Sequence, residues 1–210
     1  MNVYTPDDGR GRIALNTRPT TVTERFLFDK WHMERPMTLG YVVLEQLRDC
    51  CFQQVLRSPE ERPTASFGLH YFMTGEGLLS LGGREFRFAE RCCLLTLPKA
   101  RWTARSSGKV PVRCISVAFQ LSQAPNNPFT AFSHWHEAHG GFILQDKGVL
   151  ENLLLELMDE LGASDPFAEI AAEGALSRIM SVVCRVLFAE SGNESATLAG
   201  PSSGKKDLAY

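Results

Sequence analysis

Two periods of apolar residues divide this chain. Between residues 40 and 122 they come in short runs, often at every second position, and between 147 and 190 they return every third or fourth. The first period belongs to strands with one buried face, the second to amphipathic helices. In Arg84-Glu85-Phe86-Arg87-Phe88 the aromatics alternate with charges, so one face is dry and the other wet. Val112–Phe119 likewise sets Arg113, Ile115, Val117 and Phe119 on one side.

The pattern predicts strands at Val42–Arg48 (with Cys51–Leu56 as a candidate continuation), Phe67–Met73, Leu78–Leu81, Arg84–Phe88, Cys92–Leu97, Arg101–Arg105 and Val112–Leu121. Turn residues separate them at short intervals, as in Thr74-Gly75-Glu76-Gly77 and Ser106-Ser107-Gly108. Gly82-Gly83 reads as a two-residue hairpin, because both glycines can take the positive φ such turns need. Many short strands so spaced indicate a barrel or sandwich rather than a parallel sheet.

The helical half is predicted in two parts. Asp146 can cap a helix striped by Val149, Leu150, Leu153, Leu154, Leu157, Met158 and Leu161, with Gly162 as its stop. Asp165-Pro166 restarts the chain, and a second helix runs to about Glu190. Packing on the barrel accounts for most of its apolar face. Its arc nevertheless looks wider than one contact requires, so Leu176, Ile179, Met180, Val183, Val186 and Leu187 are the expected dimer interface. The divisions that follow are an N-terminal arm over 1–39, with one strand or helical turn near Arg25–Trp31, and a barrel over 40–145. A helical pair over 146–190 and a flexible linker over 191–210 complete them.

Composition narrows the function. The chain has 210 residues, 44% hydrophobic and 22% charged, enough to bury a core without disulfides or metal. Its 22 Lys and Arg are spread singly among 24 Asp and Glu, which argues against direct nucleic-acid binding. The N-terminus lacks the apolar stretch of a leader, and no run approaches the ~18 apolar residues of a membrane span. Six cysteines, including the vicinal pairs Cys50-Cys51 and Cys92-Cys93, then suit reduced thiols in a cytoplasm. Their alternative use is a thiol-based redox or soft-metal sensor.

The order of these signals resembles the cupin-like sensing domain of AraC-type transcription regulators. The likeness begins at Leu69-His70-Tyr71-Phe72-Met73-Thr74-Gly75-Glu76-Gly77-Leu78-Leu79-Ser80-Leu81-Gly82-Gly83-Arg84. It continues through Leu94-Leu95-Thr96-Leu97-Pro98, Ile115-Ser116-Val117-Ala118-Phe119 and Gly141-Phe142-Ile143-Leu144, and it covers roughly residues 40–190. The resemblance implies a mostly β fold with α additions, a cupin-like jelly-roll barrel followed by two antiparallel amphipathic helices. It also implies a small effector inside the barrel, with His70, Phe72, Phe86, Phe88 and Trp102 as lining residues. Phe86 and Phe88 could equally be plain core.

Three departures matter. Arg91-Cys92 stands where relatives usually carry Gly-Asp, so that turn must be built differently. Metal-binding cupins need a set of histidines and a glutamate, whereas the barrel here offers His70 without a partner at the required spacing. No metal, cofactor or catalytic residue is therefore expected. Finally, the helix-turn-helix pair that usually follows is not visible, so DNA would be reached only through a missing C-terminal domain. His134, His136 and His139 occupy a loop, and incidental exposure explains them better than zinc.

The expected function is a ligand-sensing, homodimerising domain of an AraC-type regulator, cytoplasmic and not an enzyme. The alternatives are a stand-alone metal-dependent cupin enzyme and a protein-interaction module without a small ligand.

Overall fold

The computed structural model describes residues 28–33, 36–57, 66–108, 110–130 and 141–191, with the backbone alone at 28–32, 57 and 190–191. The N-terminal 27 residues, the histidine loop and the tail after 191 lie outside them, and with them the expectations placed there. Alternating residues make the strands β1 (Phe28–His32), β2 (Met37–Leu39), β3 (Val42–Phe52), β4 (Val55–Arg57), β5 (Phe67–Thr74) and β6 (Gly77–Leu81). They continue with β7 (Arg84–Phe88), β8 (Cys92–Thr96), β9 (Trp102–Ser106), β10 (Val112–Leu121) and β11 (Phe142–Gln145). Helices α1 (Val149–Gly162) and α2 (Ala168–Ser191) close the order.

Two antiparallel sheets result. The larger runs β1-β3-β10-β5-β8-β11, with β2 added beside β3, and the smaller runs β4-β9-β6-β7. Part of the stretch expected as an arm, residues 28–39, thus supplies two strands. Val42–Arg48 and Cys51–Leu56 become one eleven-residue strand and a short one after a bend. The Gly82-Gly83 hairpin has φ of 56° and 81°, as its twist requires. At the departure from the family pattern, Arg91 itself takes φ 60°, a conformation that costs an L-residue about 1 kcal/mol or more. Its N–H donates to the Phe72 carbonyl, which closes the turn without a glycine.

Each side of the large sheet has its own core. Inward, towards the small sheet, Cys50, Phe52, Phe72, Cys92, Leu94, Val112 and Cys114 meet Leu56, Leu79, Phe88, Trp102 and Ala104. Outward, Leu44, Leu47, Leu69, Tyr71, Leu95, Ile115, Val117 and Phe119 meet Leu150, Leu154 and Leu157 of α1 and the apolar side of α2. The cupin-like β architecture with two closing helices is the fold of this chain.

The α2 residues expected at a dimer interface are placed differently. Leu176, Ile179, Met180 and Val183 are 1% exposed and Leu187 is 2%, all within the outer core, and Val186 packs half-buried against it. The correction has a geometric cause. A sheet twisted under two helices touches a wider arc of each helix than a single ridge would, so the apparent surplus is consumed inside the chain. Phe167, Ile170 and Phe188, at 69%, 71% and 54% exposure, are the large apolar side chains left outside near α2.

Helix α1 is anchored by its cap. Gly148 precedes it with φ 93°, and the Asp146 carboxylate reaches over it to accept the N–H groups of Val149, Leu150 and Glu151 at 3.2, 3.1 and 3.3 Å. The same carboxylate accepts the Tyr71 hydroxyl at 2.8 Å, which ties the helix to the middle of β5. Asp165 begins the second helix, its carboxylate accepting the Phe167 N–H at 2.8 Å.

Candidate functional site

Strand β5 carries the site because its alternation splits its residues between the two cores. Tyr71 faces the helices, while His70 and Phe72 face the small sheet. Phe72 stacks on Phe88 at 4.3 Å between ring centroids, and Trp102 leans over His70 at 4.3 Å. Of the five expected lining residues, His70, Phe72, Phe88 and Trp102 therefore meet between the sheets, whereas Phe86 packs half-buried at their margin. Phe72 and Phe88 are 0% and 3% exposed, so they fill the inner core.

His70 is the polar centre. Its Nδ1 lies 3.0 Å from the Ser116 hydroxyl and its Nε2 3.3 Å from that of Thr96. A neutral imidazole, one nitrogen donating and one accepting, satisfies both. Burial pushes the His70 pKa down to about 3, so the ring stays uncharged at neutral pH. Thr96 also donates towards the Gly68 carbonyl at 3.5 Å. A Cβ at Gly68 would sit 2.3 Å from the Thr96 hydroxyl and 2.6 Å from His70 Nε2. Only glycine leaves room for this cluster.

The strand register extends the cluster sideways. On β10 and β3, Ser116 lies opposite His70 and Arg48, and Ala118 opposite Gly68 and Gln46. Gln46, Arg48, Ser116 and Ala118 are each only half-buried in mid-strand. One row further along, Cys50, Cys114, Phe72 and Cys92 are fully buried. The inner face thus has a sealed aromatic and thiol end and an accessible polar end, with His70 and Trp102 at the boundary. At the polar margin a bulge in β3 brings Glu45 to accept from Gln120 and Ser66. Sequence reasoning passed over Gln46, Arg48, Thr96 and Ser116. The available signal was their parity with Cys50 and Cys114, which puts polar side chains on a face otherwise apolar.

Two thiols at the sealed end, Cys92 and Cys114, are held protonated by burial. Burial raises Cys92 to about 11 and Cys114 to about 12, with Cys93 well up as well, which removes the thiolate that redox or metal chemistry uses. Elsewhere, Arg113 Nε and Nη2 donate to the buried Asp49 carboxylate at 3.0 and 2.7 Å, a pair on the helix side of the sheet. No three His, Cys, Asp or Glu side chains gather as a metal centre among the described residues. None of their helices is long and apolar enough to cross a membrane.

A two-sheet, cupin-like β domain closed by two helices is the class that this fold defines. The chain belongs to the family described as the AraC-like ligand binding domain, which matches residues 47–180. No curated protein matches the chain. Similar solved structures include the AraC-like transcriptional activator CuxR, at 9% identity and TM-score 0.46 over 89% of this chain and 72% of that one. They also include ToxT from Vibrio cholerae, at 9% identity and TM-score 0.48 over 71% and 58%. A third is the cupin domain of Cnp3 from Schizosaccharomyces pombe, at 10% identity and TM-score 0.31 over 39% and 63%. This chain therefore spans less than two thirds of the ToxT and Cnp3 chains.

Proposed function

We propose that the chain is the effector-sensing and dimerising part of an AraC-type regulator, and that the effector enters the polar end of the inner face. The observation that carries this is the half-buried set Gln46, Arg48, Ser116 and Ala118 beside the hydrogen-bonded His70. Mid-strand positions facing another sheet are normally sealed, as they are one row away. Accessible polar groups next to an aromatic wall are how small-molecule sites are built. Trp102 offers that wall, and Phe72 and Phe88 support it from behind.

The regulatory role needs no catalysis, metal or cofactor, and its compartment is the cytoplasm. Sequence-selective reading of DNA is assigned to a separate helix-turn-helix domain, since α1 and α2 bury their apolar sides on the sheet. The arm, sensing unit, helical pair and linker are the working divisions. Homodimerisation is assigned to the helical layer through the exposed Phe167 and Ile170 rather than through the α2 core residues.

The test is a thermal-stability screen of the purified chain against small organic acids, sugars and amines. An effector at 100 times its Kd adds about 2.7 kcal/mol of stability, and Ser116→Leu, which fills the polar end, should abolish that gain. A screen without any stabilising compound, or stoichiometric iron, manganese or nickel in the purified protein, overturns the effector reading. The metal result would favour the enzyme alternative. Sedimentation at micromolar concentration should show a dimer that Ile170→Glu weakens, and a strictly monomeric wild type removes the dimerisation assignment.

A further inference from the structure

The basic residues that look scattered along the chain are gathered by the small sheet. Its inner side takes Leu79, Phe88, Trp102 and Ala104, so the alternate positions look away from the molecule's core. Across that outer side one row reads Val55, Arg105, Leu78, Arg87, and the next carries Thr103, Ser80 and Glu85. Arg105 and Arg87 are exposed and flank Leu78, itself 43% exposed. At the hairpin end of the same sheet, Arg84, Arg101 and the left-handed Lys99 are exposed as well. None of these five cations is in an ion pair among the described residues. On the face itself the acid among the described side chains is Glu85, with Glu76 and Glu90 in the turns at its rim.

The opposite side of the molecule has the other sign. Helices α1 and α2 cover the outer face of the large sheet and expose Asp159, Glu169 and Glu173, with Arg178 and Arg185 among them and Asp165 exposed in their connection. Among the described side chains the two sides therefore differ in the sign of the charge they expose.

We propose that the outer face of the small sheet docks on the phosphate backbone of duplex nucleic acid, without reading its sequence. Charge complementarity selects this partner. Arg105 and Arg87 stand two strand spacings apart, roughly 10 Å, and Arg101 lies roughly 13 Å along β9 from Arg105. That is a flat grid of guanidinium groups on the scale of neighbouring phosphates. Arginine suits phosphate because its planar fork donates two parallel hydrogen bonds. Among the described residues no helix or loop projects from this face to read base edges in a groove, so the contact positions and does not specify. It adds affinity to a regulator held on DNA by other means, and it is independent of the effector site on the far side of the same sheet.

Fluorescence anisotropy with a labelled duplex of arbitrary sequence tests it on the full 210-residue chain. Four phosphate contacts predict that affinity falls roughly 100-fold between 50 and 200 mM salt. Arg87→Gln with Arg105→Gln, both at exposed positions, should weaken binding and lower the logarithmic salt slope by about 2. Arg178→Gln with Arg185→Gln on the helix side should leave both unchanged. Absence of binding at 50 mM salt, equal binding by the Arg87/Arg105 variant, or salt-resistant selectivity for one sequence each overturns the proposal. Binding to vesicles rich in anionic lipid but not to duplex also overturns it and gives the face to a membrane.

Discussion

The two faces of the large sheet are both buried, yet they are built from different residues. The outer one meets the helices through Leu, Val, Ile, Met and small alanines such as Ala172 and Ala175. The inner one meets the second sheet through Phe72, Phe88, Trp102, three buried thiols and one neutral histidine. Aliphatic packing against a helix can be sealed along its length, and here it is. Between the two sheets burial is complete at one end and partial at the other, and the partly buried end is where polar side chains are tolerated. The helix side is aliphatic, and the sheet side keeps a half-buried polar row beside its aromatic core.

That contrast can be broken first on the helix side. Val183→Asp puts a charge where 1% of the side chain is exposed, which costs several kcal/mol. The expected result is an unfolded or molten chain in circular dichroism, with no soluble monomer. Ile170→Glu, at 71% exposure, should leave the chain folded, with only the modest drop in melting temperature that a weakened dimer brings. A well-folded Val183→Asp monomer would mean that α2 can leave the sheet.

The inner face should show itself through pH. His70 is held at a pKa of about 3 by burial, against an ordinary value of 6.5. The unfolded chain therefore takes up a proton below pH 6.5 that the folded chain refuses until about pH 3. This contribution is fully present above pH 6.5 and is lost as pH falls, by about 1.4 kcal/mol for each unit over that window. His70→Asn should remove that part of the acid sensitivity, read as the difference between denaturant midpoints at pH 7 and pH 5. Parallel pH profiles for the two proteins would show that the ring is protonated in the folded state.

The link between the faces is tested by Tyr71→Phe. It leaves the 9% exposed Asp146 without one of its donors, at a cost of about 1–3 kcal/mol. The three backbone donors of α1 remain, so the fold should survive with a lower melting temperature. An unchanged melting temperature would mean that water replaces the phenol. The smallest effect concerns Lys99, whose φ of 65° is unfavourable for an L-residue. Lys99→Gly should stabilise by up to about 1 kcal/mol, and destabilisation would show that its side chain makes a contact worth more than the strain.

The alternation of Arg84–Phe88, the stripe of Leu150–Leu161 and the glycines at 82 and 83 determined the strands, helices and hairpin on their own, because those features depend on neighbours within a few residues. His70 and Trp102 were each named as lining residues through resemblance, and the fold brings their rings within 4.3 Å. The rest was decided only by tertiary structure. Whether Leu176 and Val183 face a partner or the chain's own sheet depends on how much arc a twisted sheet covers, which periodicity does not encode. Thr96 and Ser116 join His70 across strands 26 and 46 residues apart in the chain, and no local pattern records that pairing. Arg87 and Arg105 are unremarkable singly and become one charged face through a register set by β6 between them. Local propensity is written in spacing along the chain, whereas clefts and charged faces arise from which strands lie side by side.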